Sequence, residues 1–209
     1  ILREGGSGQS SSLRNFNKED LVVYNVAGKP LPFRKQLNVA DNVSYTQIRS
    51  NMAKGNFKTY VIDDSQYLMA FEMFDRAKEL GYNKFTDVAL NFRNLVDFVI
   101  KNTPKDTIVY FLHHTETSDT GKIKAKTSGK MLDNQLTLEG LFSIVLLCKT
   151  DGQEHYFETQ SDGYTTCKSP MEMFPLKIEN DLKLVDTTIR EYYGFKNENS
   201  KPDTGRKDK

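Results

Sequence analysis

The chain has no tryptophan, and only two cysteines, six prolines and three histidines in 209 residues. Cys148 and Cys167 are too few for a disulfide framework or a four-ligand zinc site, so both are expected to be buried thiols. No run of about 18 apolar residues occurs and the first residues lack a charged-then-apolar signal pattern, so a soluble, intracellular protein without a membrane partner is expected. An excess of one charge is missing too. The 29 basic and 28 acidic side chains leave a net charge of +1, which argues neither for nor against nucleic acid.

A hydrophobic fraction of 37%, with 13 Phe and 10 Tyr, is lean but sufficient for a core, and the length suits one α/β domain. That domain is expected over residues 1–195. Residues 196–209 carry Lys196, Lys201, Arg206, Lys207 and Lys209 against Glu198, Asp203 and Asp208, with no large apolar residue, and are expected to form a disordered polar tail. The chain opens at Ile1 within an expected strand, so the first strand reads as truncated.

Apolar β-branched runs predict strands at residues 21–26, 57–62 and 107–112. Helices are expected at 45–54, at 66–80 (Leu68, Phe71, Met73, Phe74 and Ala77 inward, stopped by Gly81), around Phe92, Leu95, Val96 and Val99, and at 180–193, capped by Asn180 or Asp181. Residues 114–135 read as a long polar loop, and 141–150 with 154–159 as a hairpin about Asp151-Gly152. Alternating strands and helices predict a largely parallel sheet.

Three expected strands end in groups suited to chemistry: Ile1-Leu2 in the Gly5-Gly6-Ser7-Gly8 loop, 57–62 in Asp63-Asp64, and 107–112 in His113-His114. In open α/β sheets ligands sit beyond such ends. Amides of a Gly-rich loop entering a helix can cradle phosphate, and a neighbouring carboxylate can hold Mg²⁺. Each piece alone has an ordinary counterpart: a Gly-Ser linker, a strand-to-loop exit, a core histidine. Their order favours a nucleotide site.

With these markers the sequence resembles the RecA-like P-loop ATPases, most closely a phage-encoded AAA-type branch linked to single-strand annealing and recombination. The likeness spans residues 1–195 and rests on Gly6-Ser7-Gly8-Gln9-Ser10, Lys29-Pro30-Leu31-Pro32-Phe33, Tyr60-Val61-Ile62-Asp63-Asp64, the strand ending in His114, residues 127–134 and Cys167-Lys168-Ser169-Pro170. It implies a RecA-like core, mainly parallel and flanked by helices, with a C-terminal antiparallel hairpin. It also implies ATP, Mg²⁺, single-stranded DNA, a ring or filament of identical subunits, and the cytoplasm of a bacterial host.

By the same resemblance Gly6, Ser7, Gly8, Gln9, Ser10 and Ser11 would bind nucleotide, and Ser10 and Asp63 would hold the metal. Asp64, or else Glu116, would polarise water, His114 would sense the γ-phosphate, and Lys168 would reach a neighbouring subunit's nucleotide. Lys122, Lys124, Lys126 and Lys130 would face DNA, the alternative being a solvated loop. Two departures weaken the match to G-x-x-x-x-G-K-[ST]: Arg3 stands at the first glycine and Gln9 at the lysine. Glutamine donates hydrogen bonds without charge, so affinity and turnover are expected to fall, and a hydrolysis-deficient nucleotide-binding scaffold is the alternative. A small-molecule phosphotransferase is disfavoured by the lack of an arginine-bearing lid.

Overall fold

The computed structural model describes residues 1–128 and 136–195. The first strand, β1 (Leu2–Arg3), runs into residues 4–9 and a 3₁₀ turn, Ser10–Asn15. Then follow β2 (Leu21–Asn25), β3 (Asn38–Asp41), α1 (Tyr45–Met52), β4 (Thr59–Asp63), α2 (Tyr67–Asp75) and α3 (Asn83–Asn102). The second half holds β5 (Ile108–Phe111), β6 (His113–Thr117), β7 (Ile123–Ala125), a 3₁₀ turn at Leu138–Leu141, β8 (Leu147–Asp151), β9 (Glu154–Glu158), β10 (Lys177–Glu179) and α4 (Leu182–Tyr193).

A four-stranded parallel sheet, β3-β2-β4-β5, adjoins a six-stranded mixed sheet, β10-β9-β8-β1-β6-β7. The two meet at Leu112. Its N–H donates to Ile62 O at 3.0 Å on one side, while on the other His113 N donates to Ile1 O at 2.9 Å. Residues 108–117 therefore form one strand lying between β4 and β1. Across the parallel part the order is β3, β2, β4, β5/β6, β1, β8, and β9 and β10 continue it antiparallel.

Alternation along the strands fills both faces. Tyr60 and Ile62 join Ile48, Met52, Leu68, Phe92, Leu95 and Val96 of α1–α3 on one face. Val61, Val23 and Leu112 join Leu13, Phe16, Leu182, Val185 and Ile189 on the other, beneath the first 3₁₀ turn and α4. All five residues of β4 are buried, which explains its unbroken apolar character. Each fully buried Leu, Ile or Phe contributes about 1.5–3 kcal/mol to holding these layers together.

Several boundaries differ from the sequence expectations. The helix expected over 66–80 stops at Asp75. Leu68 is buried and Met73 half-buried as expected, but Phe71 and Phe74 lie exposed, as does Ala77 beyond the helix, because the face of α2 packed inward runs through Leu68, Met69 and Met73. The strand expected to close at His113-His114 runs on to Thr117, and the expected polar loop contains the β6–β7 hairpin. Lys122-Ile123-Lys124-Ala125-Lys126 alternates polar and apolar because Ala125 is buried and Ile123 half-buried beneath the lysines. The expected C-terminal hairpin is β8–β9, starting only at Leu147 and extended by β10. Both cysteines are buried free thiols.

Candidate nucleotide site at the strand ends

Gly6 and Gly8 carry the positive φ values, +85° and +83°, that turn the chain between β1 and the 3₁₀ turn. The loop is tied from outside by its carbonyls. Ser7 O accepts from Cys148 Sγ at 2.9 Å and lies 2.8 Å from His155 Nδ1, and Gly8 O accepts from Asn180 Nδ2 at 3.0 Å. A Cβ on Gly8 would stand 3.0 Å from His155 and 3.1 Å from Asn180, so this approach needs glycine. Burial pushes the Cys148 group up to about 11, keeping it a thiol that can donate to the loop. Ser7 N binds Glu4 O, but among the described residues the amides of Gly5, Gly6, Gly8, Gln9 and Ser10 have no acceptor.

Gln9 does not project from the loop. It is fully buried, and its Nε2 donates to Ile1 O at 2.6 Å. Ser10 Oγ meets both oxygens of Asp63, at 3.2 and 3.1 Å, although the two residues lie on separate elements. Burial, with the neighbouring Asp64 charge, raises the Asp63 pKa above the ordinary carboxylate value, so this acid would gain from a nearby cation. Ser11 lies beside the loop, and its carbonyl accepts from Arg14.

Asp64 turns away from β4 with φ +57°, a conformation uncommon for a residue with a side chain, while Ser65 N is pinned to Leu112 O at 2.9 Å. Its buried carboxylate receives Arg3 Nη2, Lys29 Nζ at 2.7 Å and His114 Nε2 at 2.9 Å. Burial alone would raise its pKa, but the hydrogen bonds from His114 and Lys29 and the charge of Arg3 outweigh that and hold it well below the ordinary range. Since Arg3 can only donate, its 3.1 Å approach to His114 Nε2 and a His114-to-Asp64 hydrogen bond compete for one nitrogen. Tyr67 packs edge-on against His114, with Lys29 Nζ 5.5 Å from its ring centre.

Lys29 is brought there by a small turn. Asn25, ending β2, donates through Nδ2 to Lys29 O and to Asp41 Oδ1, both at 2.7 Å. Gly28 adopts φ +64° where a Cβ would strike Asn42 Oδ1 at 2.5 Å. His113 faces the core instead. Its Nε2 donates to Lys126 O at 2.7 Å, its Nδ1 meets Ser65 Oγ at 2.9 Å, and burial lowers its pKa to about 4.

The structure thus brings together the loop, Ser10, Asp63, Asp64 and His114. Glu116 sits two residues beyond His114 and pairs with Lys124 across the hairpin at 3.0 Å. Lys168 is bonded through its backbone to Val145, two residues before the Leu147 that pairs with Leu2, and so is set back from the cluster. Lys122 and Lys126 are exposed on the face of β7 that also carries Lys124, and Lys130 lies outside the described residues. The sequence reading missed the anchors His155 and Asn180, gave Arg3 no role, and left Lys29 open between a place near phosphates and a merely stiffened connection. The only advance signal was the pair of departures at residues 3 and 9.

No protein-family model matches the chain. It is similar to viral late gene transcription factor 3 of fowlpox virus (strain NVSL), 30% identical over 151 residues, which cover 64% of this chain and 66% of that protein. The matched region therefore spans just under two thirds of the relative's length. Among the described residues no helix is long and apolar enough to cross a membrane.

Proposed function

We propose that the chain binds a nucleoside triphosphate with Mg²⁺ at the Gly5-to-Ser10 loop and works as an oligomeric, ATP-dependent factor on single-stranded DNA in the cytoplasm, on a RecA-like core. The observation that carries this reading is the Ser10–Asp63 contact at 3.1 Å, with unpaired loop amides beside it. The strand order, with β5/β6 between the loop strand and the acid strand, supports it.

Ser10 and Asp63 would hold Mg²⁺, a protein ligand set of the size Mg²⁺ takes when phosphates and water complete its shell. Mg²⁺ supplies charge neutralisation at the phosphates. The loop amides orient the phosphate chain, and His114 contacts its end. Asp64, bound by cations, is too weak a base to polarise water until they leave it, and with Gln9 uncharged slow turnover is expected. Lys168 would act on a neighbouring subunit's nucleotide. Lys122, Lys124, Lys126 and Lys130 would neutralise DNA phosphates.

A second reading, favoured by the similarity to the fowlpox factor, is a role in viral late transcription, with a nucleotide retained to hold a scaffold. Titration with a fluorescent ATP analogue, with and without Mg²⁺, tests the shared premise. Mg²⁺-dependent saturation lost in Asp63→Ala is expected, and equal signal in both proteins would remove the site. Phosphate release separates the two readings, since a scaffold binds without turnover.

A further inference from the structure

Resting on that nucleotide reading, we propose that Arg3 and Lys29 form a cation pair that supplies the phosphate-binding charge absent at Gln9, and that Asp64 holds the pair until the ligand arrives. The two departures in the loop are then one change. A positive charge has moved from the loop's last turn, where Gln9 is folded back onto Ile1 O, to its first residue, Arg3.

One carboxylate is shared by two cations. Asp64 contacts both the Arg3 guanidinium and the Lys29 ammonium, with His114 as a third partner, while the neighbouring Asp63 is bonded to Ser10. The Arg3 guanidinium engages Asp64 through Nη2, and its Nε is buried without an acceptor among the described residues. A guanidinium offers five donors, so most of its capacity stays open to a further anion. Lys29 reaches in from the Gly28 turn with its side chain 57% exposed, free to swing from Asp64 to a ligand without unpacking the core.

Placement points the same way. Arg3 is where the loop leaves β1, and Ser10, where the loop ends, is bonded to Asp63, the residue next to Asp64. The pair is thus fixed beside both ends of the loop that would hold phosphates. A polyphosphate carries several negative charges against the single charge of Asp64, so the cations shift towards it. Their departure frees the Asp64 carboxylate and leaves His114 as its remaining partner.

The test measures affinity for a fluorescent ATP analogue with Mg²⁺, and its competition by inorganic pyrophosphate, for the unaltered chain and for Lys29→Gln, Arg3→Gln and Arg3→Lys, each with and without Gln9→Lys. Lys29→Gln and Arg3→Gln are each expected to weaken binding about tenfold or more, the scale of one charge-assisted hydrogen bond. Arg3→Lys should recover most of the Arg3→Gln loss. Gln9→Lys should improve binding more in the Lys29→Gln background than in the unaltered chain, because the charges substitute for one another. Should Arg3→Gln fail to fold, the exposed Lys29 decides alone. Unchanged affinity in Lys29→Gln, with Asp63→Ala still abolishing binding, would overturn the cation pair and leave the nucleotide reading standing. An unaltered chain that binds neither ATP nor pyrophosphate would overturn both.

Discussion

The two ends of β4 and β5 each bury an acid among cations, and they close those charges differently. At the end where these strands begin, Arg190 donates to Asp186 at 2.8 Å, to Lys58 O and Thr59 Oγ1 at 2.9 Å, and to Asp106 O at 3.0 Å. Asp186 also takes the hydroxyls of Thr59 and Tyr110, and burial beside it pushes the Tyr110 hydroxyl well above its ordinary value. Every nitrogen of that guanidinium has an acceptor, and α4 is clamped to the sheet. At the opposite end Arg3 keeps a buried Nε without one among the described residues, and Lys29 lies largely in solvent. The closed cluster holds the fold together; the open one keeps charge available for a ligand.

The largest effect expected to sharpen this contrast is at the closed end. Arg190→Ala should lower stability by about 3–5 kcal/mol, because it strands the buried Asp186, and a thermal melt reads it directly. Next is acid. His113 is held neutral, its pKa lowered from 6.5 to about 4, so the stability it contributes is present above pH 6.5 and lost as pH falls towards 4, by roughly 3 kcal/mol. Asp64, depressed well below 3.8, loses its contribution only at still lower pH, so Asp64 itself should add no pH dependence between pH 7 and 4. Denaturant melts on His113→Gln should show the acid-dependent loss disappear. A smaller cost, about 1–3 kcal/mol, is expected for Asp64→Asn. The smallest is Lys29→Gln, below about 1 kcal/mol in the ligand-free chain, since one partner is exposed. A Lys29→Gln penalty matching that of Arg190→Ala would break the distinction between the two ends.

DNA binding bears on the same contrast from outside the clusters. Replacing Lys122, Lys124, Lys126 and Lys130 by Gln should flatten the salt dependence of single-strand binding by up to about 0.7 per lost contact. Lys124 is partly spent on Glu116, so its share should be the least. If truncation after Phe195 alone removes binding, these lysines are not the DNA surface.

The Gly-rich loop, the acid pair and the strand after Thr107 were legible because unbroken apolar runs and terminal polar residues mark buried strands whatever packs on them. The partners of those ends were not. Arg3 read as a misplaced glycine, and Lys29 as either near phosphates or part of a stiff Pro-rich connection, since nothing local reveals that two distant elements converge on Asp64. The exposed aromatic stripe of α2 misled in the other direction, because Phe71 and Phe74 have helical spacing but face away from α3. The β6–β7 hairpin was hidden by its lysines, although their alternation with Ile123 and Ala125 is the period of a strand.

Amide hydrogen exchange with and without ATP and Mg²⁺ tests the central claim most directly, because it reads both ends of the strands in one experiment. The account predicts that the amides of Gly5, Gly6, Gly8, Gln9 and Ser10, which have no acceptor among the described residues, become protected by the ligand, while those around Thr59 and Arg190 change little. Unaltered exchange in the loop at saturating ligand, or protection confined to the Arg190 end, would contradict it.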